Sequence, residues 1–528
     1  MTTSSKMSLL TESGKVMKQK HVERWTSQFS EQMTVRLDKR AKLEEMGQPG
    51  GAYKNHLKPD TTFKNIFDRY GALEKDAIGQ TPEFKVAGRV LMVRDFGKAA
   101  FLTCDDGTQR FQLYVKKDVT SEAGFAQYKL LDYGDIVWAS GDVFKTMKGE
   151  LSLNVKDFAI ISKSTRPLPE KFHGLTDPEL RYRMRYVDLA MNPEVRETLR
   201  KRSEIVRYIR EYFYKLDFLE VETPMMHSVA GGAAAKPFKT HHNALDMPLS
   251  MRIAPELHLK RLIVGGFNKV FEMNRCFRNE GLSLKHNPEF TSIEFYWAYA
   301  NFEDLIQLTE DLISGLGRDV LKKEVITFGD KEINLKGPYA RMTMREAVAK
   351  HTNSTAAQVM DASHLRNLLK DSEIDPKTIK AAGWGKLLTL CFEEFAEKHL
   401  IQPTFITEYP TEVSPLSRRN DSNPDFVDRF EFFMNGWEIG NAFSELNNPT
   451  DQLDRFAEQA MAKEAGDEEA SDVDYDYVRA LEYGMPPTAG QGIGIDRLVM
   501  VLTDSATIRD VILFPLLKKE DFGQESEA

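Results

Sequence analysis

Apolar residues near the start of the chain recur every four positions, with charged residues between them. They are Trp25, Phe29, Met33 and Leu37. This spacing places one apolar stripe along a helix, so we predict a helix from Arg24 to Met46, ended by the glycines and proline that follow. Residues 1–70 hold thirteen Lys and Arg against eight Asp and Glu. That basic excess suits RNA phosphates, although a solvated helix face is its commoner meaning.

The apolar period falls to two between Phe84 and Ile161, which is the spacing of β-strands. Five such runs, with one polar, helical stretch after the third, predict an OB-fold. This small barrel often binds single-stranded nucleic acid by stacking and hydrogen bonding. The candidates for such contacts are Phe101, Gln112 and Tyr114. Strand alternation by itself favours the alternative that Phe101 lies in the barrel core.

A larger domain is expected after a linker. The segment from Ser164 to Tyr186 has four prolines or glycines before its basic cluster, which is typical of a linker. A helix from about Pro193 to Leu216 follows, and then the strand-like sequence FLEVETPMM. Helices and strands alternate from there without internal repeats, so the predicted fold class is α+β. Residues 463–476 hold seven acidic residues and one Lys, which indicates a solvated insertion or helix face.

Composition narrows the class of protein. With 528 residues, of which 41% are hydrophobic and 29% charged, the chain is neither disordered nor collagenous and is long enough for several domains. Three scattered cysteines, Cys104, Cys276 and Cys391, exclude a CxxC zinc site and favour a reducing compartment. We expect a soluble, unsecreted protein, because no apolar run approaches a membrane span and the first thirty residues lack the apolar segment of a signal peptide. The formal net charge of -9 still allows a local basic face.

Two charge-rich strands are predicted on either side of a polar loop. Arg278 and Glu280 are two positions apart on the first strand, as are Glu294 and Tyr296 on the second, so each pair shares a face of a long-looped hairpin. A cross-strand ladder of ion pairs is one explanation. Large aromatic residues surround these charges, however, and a half-buried charge is costly unless it meets a ligand or a partner. This favours a binding site.

A second hairpin is predicted around Asn435-Gly436, a sequence typical of a two-residue type I′ turn. That turn pairs Phe433 with Glu438 and Glu431 with Gly440. Glu431 and Glu438 are then diagonal neighbours on one face, about 7–8 Å apart, where long carboxylates can share a hard cation. A bulge at Gly440 would bring a second alternating set onto this site, namely Asn441, Phe443 and Glu445.

A run of glycines from Gly490 leads into a third block, which ends near Leu502 and contains Arg497. The start of the helix predicted there could present backbone N–H groups and this guanidinium to an anion. Alone the block is a weak signal, because glycines often serve close packing only.

Together and in this order, the three blocks resemble the signature motifs of the class II aminoacyl-tRNA synthetases. The sequences that carry the resemblance are FLEVETPMM, then FRNEG with HNPEFTSIEFYWAYA, and then GIGIDR. Within that class, GGAAAKPF, RIAPELHLKRL, GNAFSELN and LEYGMPPTAG resemble the lysyl-tRNA synthetase family. The resemblance extends from about Glu83 to the C-terminus.

The resemblance implies a domain plan and an activity. The plan is an N-terminal helical extension (1–70), an OB-fold anticodon-binding domain (71–165), a linker (166–190) and a catalytic domain (191–528) with an antiparallel sheet flanked by helices. It also implies a cytoplasmic homodimer, with the first motif at the subunit interface. The implied reaction uses ATP and Mg²⁺ to convert L-lysine to lysyl-adenylate, and then transfers the lysyl group to tRNA(Lys).

Catalytic and ATP-binding roles follow from the resemblance, motif by motif. Arg278 would bridge the lysine carboxylate and the α-phosphate. Arg497 would hold the γ-phosphate and lie against adenine, and Phe290 would stack on the other adenine face. The other implied ATP ligands are Glu280, His286, Asn287 and Glu431, and the implied magnesium ligands are Glu431 and Glu438.

The implied lysine pocket combines acidic and apolar side chains. Its residues are Gly232 and Glu256 for the α-amino group, Asn441 and Arg278 for the carboxylate, Phe443 for the aliphatic stem, and Glu294, Tyr296 and Glu445 for the ε-ammonium. Two acidic partners for one cation argue against an aspartate- or asparagine-charging relative, which would need a cationic or amide pocket. A non-catalytic RNA-binding paralogue is the other alternative. Such a protein would have no reason to keep Arg278, Glu431, Glu438 and Arg497 together.

In the OB-fold the resemblance implies anticodon contacts by four residues, namely Arg94, Phe101, Gln112 and Glu150. This reverses the placement of Phe101 in the barrel core. The chain departs from the family at Ala442, where glycine is frequent, and Trp297 and Trp437 are bulky for positions beside the site. Because Ala442 alternates away from Phe443, we expect it to lie behind the site.

Overall fold

The computed structural model of the protein describes residues 29–75, 81–169, 177–464 and 471–518, together with residues 19, 22, 79 and 175. The chain divides into two compact units, Met1–Met191 and Asn192–Ala528. Most of the basic stretch before residue 29, the first residues of the helix predicted from Arg24, and residues 465–470 of the acidic segment lie outside the described residues. The four-part domain plan stays a prediction.

The first unit is built on a closed five-stranded barrel, which confirms the predicted OB-fold. Its strands are β1 (Glu83–Asp95), β2 (Ala99–Asp105), β3 (Arg110–Lys116), β4 (Ile136–Lys145) and β5 (Leu151–Ser162), in the spatial order β1-β2-β3-β5-β4. Its described helices include α1 (Glu31–Glu45), α2 (Phe63–Tyr70), α3 (Glu122–Tyr128), α4 (Pro178–Arg183) and α5 (Arg185–Met191). Helix α3 follows the third strand, as the sequence predicted. Helix α1 begins after Ser30, whose hydroxyl accepts a hydrogen bond from the backbone N–H of Met33.

Strand phase decides which barrel residues point inward. Ala100 and Leu102 are fully buried in the barrel core. Phe101, between them, is half-buried on the outer face and stacks on Tyr114, with ring centroids 4.6 Å apart. The placement of Phe101 in the core from alternation alone is therefore wrong. Strand β2 carries apolar residues on both faces, so alternation defines two sets of residues without saying which set is inside.

The second unit is organised around an eight-stranded sheet. In spatial order its strands are β14 (Ala340–Thr343), β15 (Thr404–Pro410), β16 (Phe426–Met434), β17 (Trp437–Ser444), β18 (Thr488–Gly494), β11 (Glu289–Ala298), β10 (Lys269–Phe277) and β6 (Leu219–Glu220). Neighbours from β15 to β10 are antiparallel, and only the two edge pairs are parallel. Smaller sheets hold β7 (Met226–His227), β8 (Lys239–His242) and β9 (Met247–Met251), and β12 (Val325–Phe328) with β13 (Lys331–Asn334). The strand-like block FLEVETPMM thus contributes only β6 and the first residue of β7.

The described helices of the second unit begin with the long helix predicted from Pro193. In chain order they are α6 (Pro193–Lys215), α7 (Glu256–Val264), α8 (Phe302–Gly315), α9 (Met344–Thr352), α10 (Ala362–Leu369), α11 (Pro376–Ala381), α12 (Trp384–Phe395), α13 (Pro449–Glu464), α14 (Tyr475–Glu482), α15 (Ile495–Leu502) and α16 (Ile508–Val511). A π-helical turn, Leu316–Leu321, extends α8, and 3₁₀ turns lie at Gln358–Met360, Glu397–His399 and Thr411–Val413.

The main core of the second unit lies between one face of the large sheet and helices α6, α8 and α15. Ala442 is fully buried in this core, as expected from its alternation with Phe443. Trp297 and Trp437 pack against the same core and do not line the cavity described below. The two large tryptophans therefore leave the opposite face of the sheet open for a site.

The structure bears on two features noted in the sequence, the three cysteines and the lack of a long apolar run. Cys104, Cys276 and Cys391 are all buried and free. Within the described ranges, no helix is long and apolar enough to cross a membrane.

Candidate active site

A cavity of about 1440 Å³ opens on the second unit, on the sheet face opposite the main core. It brings together nearly all the catalytic, ATP, lysine and metal residues predicted from the sequence. Those that line it are Gly232, Glu256, Arg278, Glu280, His286, Asn287, Phe290, Glu294, Tyr296, Glu431, Glu438, Asn441, Phe443 and Arg497. The remaining one, Glu445, is buried behind the wall. Residues more than two hundred positions apart meet here because the strands that carry them are neighbours in the sheet.

Strands β10 and β11 form the predicted hairpin, with Glu272 opposite Glu294. The first strand ends at Phe277, so the prediction that Arg278 and Glu280 share a strand face is wrong. Arg278 is still tied to the hairpin, because its backbone N–H donates to the carbonyl of Pro288 at 2.9 Å. Its guanidinium lies 5.1 Å from the centroid of the Phe290 ring. The polar loop therefore begins at this arginine, which lines the cavity.

His286 connects that loop to helix α15. Its Nδ1 lies 2.7 Å from the hydroxyl of Ser283, and its Nε2 lies 2.9 Å from Nη2 of Arg497. Burial, reinforced by the charge of Arg497, lowers the pKa of His286 to about 4. The imidazole is therefore neutral at pH 7 and accepts from the arginine. Nη1 of Arg497 donates to the backbone carbonyl of Glu438 at 2.9 Å, so the guanidinium is held from two sides.

The turn between β16 and β17 is the predicted one, because Asn435 and Gly436 both have positive φ, 59° and 70°. The register beyond it differs from the prediction. Glu431 lies opposite Asn441 and not Gly440, because a bulge inserts Ile439 into β17 between the pairs Phe433–Glu438 and Phe432–Gly440. The bulge was predicted one residue later.

The bulge has the predicted effect on the site. With one extra residue in β17, the alternation shifts by one position, and Asn441 and Phe443 face the same side as Glu431 and Glu438. Without it, the amide and the ring would point into the core.

Arg429 was not identified from the sequence. Its Nε donates to Oδ1 of Asn441 at 3.0 Å, and its Nη2 donates to Oε1 of Glu431 at 2.6 Å. It also lies 4.3 Å from the ring centroid of Tyr409. The sequence could have indicated it, because Arg429 is two positions before Glu431 on β16 and therefore lies on the same face of that strand. This arginine fixes the orientation of both side chains toward the cavity.

Glu431 and Glu438 fit a magnesium ion by donor chemistry. Both present carboxylate oxygens on one face, and Mg²⁺ is usually held by one or two carboxylates plus substrate phosphates. Burial, together with the charge of Glu438, raises the pKa of Glu431 to about 7. Among the residues that the structure describes, no group of three His, Cys, Asp or Glu side chains could hold a metal by itself. Phosphate oxygens would have to complete such a site.

The other end of the cavity is acidic. The hydroxyl of Tyr296 donates to Oε2 of Glu294 at 3.4 Å, and desolvation raises the pKa of Glu294 to about 8. Glu445 is 2% exposed, and its Oε1 has no hydrogen-bond partner in the described part of the chain. A buried carboxylate oxygen without a partner is costly. These groups suit a ligand that brings a cation.

Glycines make room for the acidic end. A Cβ on Gly490 would overlap Oε1 of Glu445 and the ring of Tyr296, whereas one on Gly492 would lie 3.5 Å from Cγ of Glu294, an ordinary contact. Gly232 has φ +88°, and a Cβ there would come within 3.0 Å of the Cβ of Glu256. The glycine run was assigned to the approach to a helix, but Gly490 and Gly492 lie on strand β18, on the floor of the cavity.

Lys260 was also missed, although its sequence block was recognised. Its side chain is fully buried on α7, and its Nζ lies 2.6 Å from Oε1 of Glu256 and contacts Oε2 of Glu445. A lysine inside a helical sequence is usually solvent-exposed, so only the tertiary structure places it behind the pocket.

The four predicted anticodon residues belong to the first unit. Arg94 is exposed and lies opposite Phe101 in the β1–β2 register. Gln112 is half-buried and accepts from the hydroxyl of Ser152 at 2.8 Å. Glu150 is exposed at the turn between β4 and β5.

Phe101 belongs to a row of aromatic rings on the barrel. It faces outward together with Tyr114, on which it stacks, and the ring of Phe144 lies 5.9 Å from that of Tyr114.

Two family descriptions match the chain. Residues 177–518 match tRNA synthetases class II (D, K and N), and residues 84–161 match an OB-fold nucleic acid binding domain. The first match covers more than half of the chain and contains every residue that lines the cavity.

Similar proteins are named lysine–tRNA ligase. The one from Aromatoleum aromaticum is 53% identical over 485 residues, covering 92% of this chain and 96% of its own. Those from Citrobacter koseri and Escherichia coli are both 51% identical, covering 93% and 91% of this chain and 97% and 95% of their own.

Proposed function

Because the chain belongs to the lysine–tRNA ligase family of class II aminoacyl-tRNA synthetases, we propose that its cavity activates L-lysine as lysyl-adenylate. The enzyme is an ATP-dependent aminoacyl-tRNA ligase that joins L-lysine to its tRNA in protein synthesis. The observation that carries the site assignment is the acidic end of the cavity. Glu445 is buried there with an oxygen that lacks a partner in the described chain, close to Glu294 and Tyr296.

The ε-ammonium of lysine supplies the missing partner. It binds between Glu294 and Glu445, with the hydroxyl of Tyr296 beside them, while Phe443 covers the aliphatic stem. Gly232 and Glu256 take the α-amino group, because the positive φ of Gly232 lets its loop approach Glu256 closely. A pocket with two carboxylates at its end repels the carboxylate of aspartate and offers asparagine no charge to pair.

Adenylate formation needs charge stabilisation more than a nucleophile from the protein. The lysine carboxylate attacks the α-phosphate of ATP, so negative charge grows on the phosphate oxygens as pyrophosphate leaves. Arg278 holds the attacking carboxylate and an α-phosphate oxygen together, which supplies both orientation and charge. Asn441, fixed by Arg429, holds the other carboxylate oxygen. No general base is required, because the carboxylate is already ionised at pH 7.

ATP binds along the other side of the cavity. Adenine stacks on Phe290 and lies against Arg497, which also reaches the γ-phosphate. His286 keeps that arginine in place as a neutral acceptor, and Glu280 and Asn287 contact the nucleotide from the loop. Glu431 and Glu438 would hold Mg²⁺ together with the phosphates, and the bound ion would neutralise charge on the phosphate oxygens.

The OB-fold reads the anticodon in this proposal. Phe101 stacks on a base, with Arg94, Gln112 and Glu150 around it, and the half-buried stack of Phe101 on Tyr114 supports this role. The four-part domain plan with boundaries at residues 70, 165 and 190 belongs to the same proposal, as does a cytoplasmic location.

We also propose a homodimer through the first motif. Leu219 and Met226 in that block are 47% and 54% exposed, and apolar side chains exposed in this way suit an interface between two copies. Sedimentation of the full chain tests this assembly directly, because a monomer over the working concentration range would contradict it.

ATP–pyrophosphate exchange with each of the twenty amino acids tests the activity. Lysine should support exchange and aspartate and asparagine should not, whereas a non-catalytic paralogue would exchange with none. Glu445→Gln should raise the KM for lysine at least about 30-fold with little change for ATP, because a buried charge would lose its partner. Glu303→Gln, an exposed carboxylate on α8 outside the cavity, is the matched control. Equal losses for lysine and ATP would contradict the pocket assignment.

A further inference from the structure

Lys260 lies behind the proposed lysine pocket with its side chain fully buried. Its Nζ is 2.6 Å from Oε1 of Glu256, touches Oε2 of Glu445, and lies 5.3 Å from the centroid of the Phe443 ring. These are three of the residues that the proposed function assigns to lysine itself. An ammonium enclosed in protein is costly unless carboxylates pair with it, so this position requires a reason.

Charge balance provides that reason. The pocket contains three carboxylates, Glu256, Glu294 and Glu445, and lysine brings only two ammonium groups. The carboxylate of the substrate is matched by Arg278. One negative charge in the pocket would therefore remain without a partner if the protein supplied no further cation.

Three arginines near the pocket pair with carboxylates other than these three. Arg252 pairs with Glu272 at 2.7 Å, Arg429 pairs with Glu431 at 2.6 Å, and Arg261 pairs with Asp474 at 2.9 Å. Arg497 is engaged by Glu438 and His286. Among the residues that the structure describes around these three carboxylates, Lys260 is the cation that contacts two of them, Glu256 and Glu445.

We propose that Lys260 is a resident counter-cation of the lysine pocket, a positioning residue that neutralises the third carboxylate and so sets the pocket to accept two ammonium groups. The inference rests on the proposed function and adds a specificity determinant to it. Lys260 does not touch the reacting atoms. It acts through Glu256 and Glu445, whose carboxylates it orients toward the α-amino and ε-ammonium groups.

The pKa shifts of Glu445 and Lys260 agree with this role. Burial raises the pKa of Glu445 well above its usual value, and the charge of Lys260 opposes that rise. Burial lowers the pKa of Lys260, but the carboxylates of Glu256 and Glu445 raise it above its usual value. The hydroxyl of Tyr477, from α14, adds to that rise. Lys260 thus stays charged, and its charge favours the ionised form of Glu445.

The test measures calorimetric affinities for lysine, for 6-hydroxynorleucine and for ATP, each alone. The hydroxyl analogue has the length of lysine without the ε-charge. Lys260→Met should weaken lysine at least about 30-fold, because Glu256 and Glu445 without their counter-cation hold protons that the ammonium groups must displace. The analogue, which brings only the α-amino group, should weaken at least about threefold less than lysine does, and ATP should change less than about threefold. A merely structural lysine would weaken lysine and the analogue by the same factor. Lys350→Met, at an exposed helical position, is the matched control.

Lys260→Met should have the opposite effect on lysine affinity when it is introduced into the Glu445→Gln variant. In Glu445→Gln the pocket has one carboxylate fewer, so Lys260 leaves it with an excess positive charge when lysine binds. Adding Lys260→Met to Glu445→Gln should therefore tighten lysine binding, by at least about threefold. Removing a matched pair of charges should also preserve folding. The double variant thus decides the matter even if Lys260→Met alone unfolds.

Three results would overturn the inference. They are a loss of lysine affinity on Lys260→Met in both backgrounds, tighter lysine binding by Lys260→Met alone, and a double variant that does not fold. Failure of the proposed function looks different, because the wild-type enzyme would then show no lysine-dependent pyrophosphate exchange. If the wild-type enzyme shows lysine-dependent pyrophosphate exchange but Lys260→Met does not tighten lysine binding in Glu445→Gln, only the role of Lys260 is contradicted.

Discussion

Lysine binding should release a proton from Glu294. Desolvation, reinforced by Glu256 and Glu272 and opposed by Arg252 and Arg278, raises the pKa of Glu294 to about 8 in the free enzyme. At pH 7 a group with that pKa is protonated in about nine molecules of ten. The ε-ammonium requires the ionised form, so binding should release at least about 0.9 proton per site at pH 7.

The sign of the pH dependence follows from the same shift. Because the pKa of Glu294 is raised in the free pocket, low pH favours the protonated carboxyl and opposes the ammonium. The Kd for lysine should fall at least about tenfold per pH unit between pH 6 and 7, and the part of this fall that Glu294 causes should level off above about pH 8. Both ammonium groups of lysine stay charged over most of this range.

Titration calorimetry measures the proton release directly. Lysine is titrated at pH 7 in two buffers that differ in ionisation enthalpy, and the difference in observed enthalpy gives the number of protons released. Glu294→Gln should lower that number by about 0.9, because the amide has no proton to lose. Glu289→Gln is the matched control, since Glu289 is exposed at the start of the same strand.

Two results would refute this reasoning. One is a Glu294→Gln enzyme that releases as many protons as the wild type. The other is a wild-type Kd that is flat between pH 6 and 8. Either result would show that Glu294 is ionised before lysine arrives, and that its surroundings do not hold the proton.

Three further predictions concern other parts of the enzyme. Gly490→Ala should abolish lysine binding because its methyl group would overlap Glu445, whereas Gly492→Ala should bind lysine within about threefold of wild type, as equilibrium dialysis would show. Arg278→Ala should leave less than about a tenth of kcat for pyrophosphate exchange, a loss above about 1.4 kcal/mol, with tRNA binding intact. Phe101→Ala should raise the KM for tRNA about five-fold or more at unchanged lysine and ATP constants, since base stacking is worth ~1–3 kcal/mol, and Phe101→Leu should do the same if the ring matters. An unfolded Phe101→Ala barrel, by circular dichroism, would return Phe101 to a structural role.

Local features of the chain could be predicted because they depend on neighbouring residues. The period of two over residues 84–161 identified the strands of the barrel, and Asn435-Gly436 identified the turn between β16 and β17. Both signals are short-range, since strand pleat and turn type depend on a few consecutive residues. The blocks that resemble the synthetase motifs likewise identified the family, and the catalytic, ATP, lysine and metal residues they implied all line the cavity except Glu445.

The tertiary structure was needed to decide which face of a strand is buried, where the bulge lies, and which charged residues are buried together. Alternation could not say which face of β2 is inside, so Phe101 was first placed wrongly, and it could not locate the bulge at Ile439 to the residue. A one-residue shift reverses every side chain of a strand, and its cost depends on contacts with distant strands. Lys260 shows the same limit, because a lysine on a helix is expected to be solvent-exposed until Glu445, 185 positions later in the chain, is brought beside it. The sequence by itself determined the elements and the family, and long-range packing decided phase, register and the partners of buried charges.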